Sequence, residues 1–194
     1  QRIRNKGGIL LILMALPKYS YYLYNVPISS SQIKSYHYDQ FRLIDLLPKT
    51  ISNEIEVKLH PEDFGYNLEK EWNKRFPNIK IIKNKKVTKI SSDYKICICT
   101  YNSTTLLELL HLNNPTICFW NKNNWELNQK SESFFKLLKE SKILHDNPEA
   151  ASKFLMENYE NIEIWWNSEG TQKARKLFCQ KFAYIPNNPL IKIS

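Results

Sequence analysis

Apolar positions fall into short blocks separated by amphipathic stretches, and the blocks give the first outline of the fold. Residues 8–16 (GILLILMAL) are apolar throughout, as expected for a strand covered on both faces of a parallel sheet. Pro17 ends the run. From Ser31 to Leu47, Ile33, Tyr36, Phe41, Ile44 and Leu47 recur at a ragged helical spacing. Residues 54–59 (EIEVKL) predict a second strand, closed by His60-Pro61, and Leu68–Phe76 a helix. A short third strand over Ile79–Ile82 and one helical turn over Ser91–Tyr94 follow. Residues 95–100 (KICICT) and 116–120 (TICFW) predict strands four and five, with a helix over Thr104–Leu112 between them. The remainder reads as helical. Glu126–Ser141 brings Leu127, Phe134, Leu137 and Leu138 to one face. Asn147, followed by Pro148 and Glu149, is a helix start, and Ser168 caps a last helix carrying Ala174, Leu177, Phe178 and Phe182. Strands alternating with helices predict an α/β Rossmann-like parallel sheet flanked by helices, with a helical C-terminal extension.

Composition narrows the class. The chain has 194 residues, of which 42% are hydrophobic and 13% aromatic, enough for one compact domain or two small ones and too apolar for disorder. We expect a Rossmann-like domain over 1–146 and C-terminal helices over 147–194 packed on that same domain. Four cysteines are too sparse for a disulfide scaffold, and Cys97 and Cys99 lie in an apolar run, so free thiols and a reducing compartment are expected. The run Ile9–Leu16 is about half the length of a membrane span and lacks a signal-peptide layout. With glycines only at 7, 8, 65 and 170, no Gly-rich phosphate loop can be built. The chain opens at Gln1 and reaches a strand-like run within eight residues, which leads us to expect a preceding N-terminal portion.

The net charge of +9 comes from 23 Lys and only five Arg, beside 20 Asn and 21 Ile, a composition that points to AT-rich coding. Nucleic-acid readers favour Arg, so no nucleic-acid partner is expected. A basic cleft for an anionic ligand fits better, and Lys80–Lys89 is the one dense basic patch.

In a sheet of this class, ligands bind at the carboxyl ends of the strands. The candidate loops are therefore 17–20, 59–63, 100–105 and 120–125. Thr100-Tyr101-Asn102-Ser103-Thr104-Thr105 places hydroxyl and amide side chains where a leucine-rich helix begins. The unpaired amides and dipole of that helix favour an anion, and Ser103, Thr104 and Thr105 add hydroxyls. Leu106, Leu107, Leu109 and Leu110 share one helical face, and Thr104, Glu108 and His111 the other. Glu108 is then placed for ribose hydroxyls. Ser103 as a simple helix cap and Glu108 as a solvated charge remain open alternatives. Lys58-Leu59-His60-Pro61 aims an imidazole from a strand end into the same edge, where it can donate to a phosphate or act as an acid. A turn histidine bonded to backbone is the other reading. Trp120-Asn121 and Trp125 suit stacking on a sugar or base, or else end the strand and staple the next helix. No metal-ligand spacing is present.

Several pieces together carry a resemblance: Tyr22-Leu23-Tyr24 with Pro27-Ile28-Ser29-Ser30; Asp39-Gln40-Phe41; Cys99-Thr100-Tyr101-Asn102-Ser103-Thr104-Thr105; Pro115-Thr116-Ile117 with Phe119-Trp120-Asn121; Trp125-Glu126-Leu127; and Trp165-Trp166-Asn167-Ser168. Over about Ile9–Leu190 the chain resembles predicted bacterial surface-polysaccharide (lipopolysaccharide or capsule) transferases whose C-terminal half has the nucleotide-sugar-binding fold of GT-B glycosyltransferases. His60-Pro61 and Ser103-Thr104 are similar in type and order to the His-Pro and Ser/Thr motifs of bacterial sialyltransferases. The resemblance implies that His60 is catalytic, with Lys58, Pro61, Asn102, Ser103, Thr104 and Thr105 at the donor phosphate and Glu108 on the ribose. Tyr101, Trp120 and Asn121 would line the donor pocket. It also implies a CMP- or UDP-linked sugar as substrate, with no cofactor and no metal. The acceptor would be a glycan or lipid-linked, and the setting the bacterial cytoplasm, peripheral to the inner membrane. In those enzymes the catalytic base comes from an N-terminal acceptor domain, which we expect to be missing here. A CDP-alditol phosphotransferase-like enzyme and a non-catalytic nucleotide-binding or assembly module are the alternatives.

Overall fold

The computed structural model describes residues 7–18, 30–125 and 127–183. Along the chain come β1 (Ile9–Ile12), α1 (Ser30–Leu46), α2 (Lys49–Ser52), β2 (Ile55–Lys58), α3 (Leu68–Arg75), β3 (Lys80–Ile82) and α4 (Val87–Ile90). Then follow β4 (Ile96–Cys99), α5 (Thr104–His111), β5 (Thr116–Phe119), α6 (Gln129–Glu140), β6 (Leu144–His145), α7 (Pro148–Asn158), α8 (Ile162–Asn167) and α9 (Glu169–Phe182). The six strands form one sheet in the order β3-β2-β1-β4-β5-β6, and every pairing is parallel. This is an α/β Rossmann-like fold, with the strand order reversing direction between β1 and β4.

Central strands need apolar side chains on both faces, and β1, β4 and β5 are buried at every position. The two faces alternate along β1. Ile9, Leu11 and Leu13 join the cluster built with Leu43 and Ile44 of α1, Trp72 of α3, and Phe154 and Leu155 of α7. Leu10 and Ile12 face the opposite way, toward Ile90 of α4 and Leu109 of α5. Alongside lies a third cluster in which Leu106, Leu110, Phe135, Leu138 and Phe178 tie α5, α6 and α9 together. The C-terminal helices thereby share the core of the sheet. Arg175 of α9 donates to the Leu110 carbonyl (2.8 Å), and the Trp166 indole donates to the Asn113 side chain (3.0 Å), where Asn113 turns the chain at φ 54° after α5.

Sequence and structure differ in a few places. β1 ends at Ile12 rather than running to Leu16, because Met14 N–H bonds a side chain instead of the next strand. The two-residue β6 was expected to be helical; it is too short to show a strand period, yet it extends the sheet beyond β5. Val87–Ile90 forms α4 and Ser91–Asp93 a 3-10 turn, together longer than the single turn predicted. α6 starts at Gln129, where the Asn128 side chain accepts from Lys130 N (3.0 Å). Leu107 is only partly buried. Asn147 and Ser168 do cap α7 and α9 with their side chains. All four cysteines are buried, and none is in a disulfide. Tyr19, Ser20, the 22–24 and 27–29 pieces, Glu126 and residues 184–194 lie outside the described residues. Among the described residues, no helix is long and apolar enough to cross a membrane.

His145 in β6 packs its ring against Phe154 (5.2 Å between centroids), and its Nε2 is buried without a partner. Burial holds its pKa down, to about 4. His37 in α1 is held down by burial in the same way, also to about 4. Both rings therefore fold in the neutral form. Between about pH 6.5 and 4 the unfolded chain binds protons that the folded chain refuses, so stability is full above that window and falls as the pH drops through it. Urea titrations should show this loss, and His145→Phe should remove part of the slope. An unchanged midpoint from pH 7 to pH 4.5 would contradict the assignment.

Candidate functional site

The site is organised by a chain of buried hydrogen bonds at the carboxyl ends of β1 and β4. The Thr100 hydroxyl donates to the Ile12 carbonyl (2.8 Å), which commits its only proton. In the 2.5 Å contact between Thr100 Oγ1 and the Tyr36 hydroxyl, tyrosine must then be the donor. The Tyr36 oxygen in turn accepts Met14 N–H (2.7 Å). Burial pushes the Tyr36 phenol far above its ordinary pKa, so it stays protonated. These bonds satisfy strand-end groups beyond the β1–β4 register, which stops at Ile12↔Cys99. Past this point β1 leads toward α1 on one face of the sheet and β4 leads into α5 on the other. A crevice opens at such a reversal.

The crevice is a cleft of ≈ 520 Å³, within the range of ligand pockets. Its walls come from four strand ends: Ile12–Ala15 after β1, Lys58–Pro61 after β2, Lys83–Val87 after β3, and Tyr101 and Thr105 around the start of α5. Among the described residues, four lysines and one histidine line it, and no Asp or Glu does.

Lys58 ends β2 and His60 follows two residues on, and both line the cleft. Lys58 is buried, and its ammonium donates to the carbonyls of Leu59 and Lys83 (both 2.6 Å). That pins β2 to the chain leaving β3. Two of the three ammonium donors are committed to carbonyls, and the residue lines the cleft. Burial lowers the Lys58 pKa. His60 is exposed. Its Nδ1 accepts Glu62 N–H (3.1 Å), so the neutral ring carries its proton on Nε2. The ring leans on Phe64, 5.3 Å between centroids. Asp63 accepts the amides of Gly65, Asn67 and Leu68 (2.7, 3.1 and 3.0 Å) and so anchors the turn into α3. Its burial acts upward, but those amides hold the carboxyl below its ordinary pKa.

At the start of α5, Tyr101 and Thr105 are partly buried and reach the cleft. Burial above all raises the Tyr101 phenol, while the Thr105 and Ser103 side chains pull it back. Ser103 occupies the cap position, yet its side chain makes no cap bond, and its buried hydroxyl acts on the Cys99 thiol and the Tyr101 phenol instead. Thr104 and Asn102 are exposed beside it.

Of the residues expected at the site, Lys58, His60, Pro61, Tyr101 and Thr105 come together, while Glu108 is exposed and does not line the cleft. Trp120 leaves the donor-pocket expectation for its other reading: it follows β5 directly and is core, 6.2 Å from both Trp125 and Phe135. Asn121 lines a different pocket, with Asp39 and Lys122, and its side chain accepts Asn123 N–H (3.0 Å). The loop 83–86 was not among the candidates. It follows a strand, so the rule of carboxyl ends would have found it. Tyr36 gave no signal beyond its place in a helical period, since its hydroxyl acts on residues 22 and 64 positions away.

A protein-family model described as LIC12162 family transferase matches residues 1–194. No curated protein matches the chain.

Removing the tyrosine hydroxyl strands Met14 N–H and leaves the Thr100 oxygen without a donor. Tyr36→Phe should destabilise the fold by about 1–3 kcal/mol, and Thr100→Val by a similar amount. The double variant should lose less than the sum, with a coupling of at least about 0.5 kcal/mol. Strictly additive urea midpoints would show that the two hydroxyls act independently.

Proposed function

The chain belongs to the LIC12162 transferase family, and on that premise we propose that it is the donor-binding part of a glycosyltransferase acting in bacterial surface-polysaccharide synthesis. The observation that carries this reading is the acid-free, lysine-lined cleft that opens at the β1/β4 reversal and holds His60 and Thr105 together. Such a cleft attracts an anion and repels none of its charge.

In glycosyl transfer from a nucleotide sugar, the bond between the anomeric carbon and the phosphate oxygen breaks. The acceptor hydroxyl forms the new bond and gives up its proton. Negative charge grows on the departing phosphate, and the protein accelerates the step by stabilising that charge more than it stabilises the substrate. His60 Nε2–H donates to a phosphate oxygen, in the tautomer enforced by the Glu62 amide. The Thr105 hydroxyl and the free amides of the first turn of α5 face the same oxygens. The third donor of Lys58 adds fixed positive charge at the cleft floor. No carboxylate lines the cleft among the described residues, and we assign the base that takes the acceptor proton to none of them.

Titration of the chain with CMP, CDP and UDP, followed by amide chemical shifts, tests the reading. Shifts should concentrate at 58–61 and 101–105. His60→Ala should weaken nucleotide binding by about 10-fold or more, the loss of a hydrogen bond to a charged group. Absence of binding, or shifts confined to other surfaces, would overturn the proposal.

A further inference from the structure

The cleft is wider than a single phosphate requires. It spans β3, β2, β1 and β4, three strand spacings, or about 14 Å. Its β4 side offers the hydroxyls of Tyr101 and Thr105 and the start of α5. The middle holds Lys58 and His60. The β3 side is a separate basic wall, Lys83-Asn84-Lys85-Lys86. Within that wall, the Lys83 ammonium is tied to Glu69. Lys85 acts on Glu56 electrostatically, but Glu56 is already held by Lys80 (2.8 Å) and by the Tyr94 hydroxyl (2.5 Å). Lys86 has no ion pair among the described residues. Both Lys85 and Lys86 are exposed, and both still line the cleft. Positive charge therefore continues past the position that His60 and Thr105 serve.

We propose that the loop 83–86 is a second anion subsite, with Lys85 and Lys86 receiving a second phosphate of the ligand, so that the cleft selects a nucleoside diphosphate over a nucleoside monophosphate. This rests on the donor-site reading above and narrows it. His60 and the α5 start hold one phosphate, and the lysine wall holds the next. Among the described residues the lining of the cleft holds four lysines and no carboxylate, which favours two negative charges on one ligand. Lysine suits this role as a flexible point charge that follows the phosphate without demanding a fixed fork geometry.

Calorimetric titration of the chain with UMP, UDP, inorganic phosphate and pyrophosphate at fixed salt tests the subsite. UDP should bind at least 10-fold more tightly than UMP, and pyrophosphate at least 10-fold more tightly than phosphate. The Lys85→Ala/Lys86→Ala double variant should bring UDP to the UMP level while leaving UMP within about 2-fold, with an unchanged urea midpoint because both side chains are exposed. Lys89→Ala, an exposed lysine of α4 outside the cleft, controls for the overall positive field. If it weakens UDP as much as the double variant does, or if UMP and UDP bind equally, the subsite is overturned while the donor reading survives. If pyrophosphate binds through Lys85 and Lys86 and no nucleotide binds, the subsite stands and the donor reading falls. If nothing binds, both fall.

Discussion

The hydrogen-bonded run from Met14 N–H through the Tyr36 and Thr100 hydroxyls to the Ile12 carbonyl is the constraint on which the rest of the structure depends. Each donor in it is committed by the bond before it, so the direction of every proton follows without choice. The run sits in the dry interior, where an unmade bond is expensive and a made one is strengthened by its neighbours. It fastens a helix to two adjacent strand ends at the place where the strand order reverses. A backbone ladder continued at this position would have closed the crevice. Side-chain hydroxyls satisfy the strand ends instead, and the chain departs to opposite faces.

The chemistry of the cleft follows from what surrounds that gap. The end of β2 brings Lys58 and His60 to the cleft, and the Lys58 ammonium pins the neighbouring chain by two carbonyls. The Glu62 amide selects the imidazole tautomer that presents N–H outward. At the opposite wall, α5 begins with hydroxyl side chains, and its far end is held down by Arg175 and Trp166 from the C-terminal helices. Those helices thus bear on the site without entering it, by fixing the axis of the helix whose first turn borders the cleft. Among the described residues, four lysines and no carboxylate in the lining give the cleft its sign.

Much of this was legible in the residue pattern, for identifiable reasons. The apolar blocks marked β1, β4 and β5 because strands buried on both faces leave no room for polar positions. Asn147 and Ser168 announced their helices because capping is local chemistry. Lys58, His60 and Thr105 were found because carboxyl ends of parallel strands can be read from strand boundaries. Three things were hidden. β6 has two residues, fewer than any period can show. Trp120 offered a stacking surface on paper, but only the packing against Trp125 and Phe135 decides where its ring goes. The Tyr36–Thr100 contact joins positions 64 apart, and nothing local distinguishes that tyrosine from the other aromatic positions of α1.

The central claim is that a phosphate binds between the imidazole of His60 and the first turn of α5. A crystal structure of the chain with UDP tests it most directly. The account predicts a phosphate oxygen about 2.7–3.2 Å from His60 Nε2 with Thr105 Oγ1 on the same phosphate. A diphosphate seated elsewhere on the molecule, or one in the cleft with the imidazole turned away from it, would contradict the account.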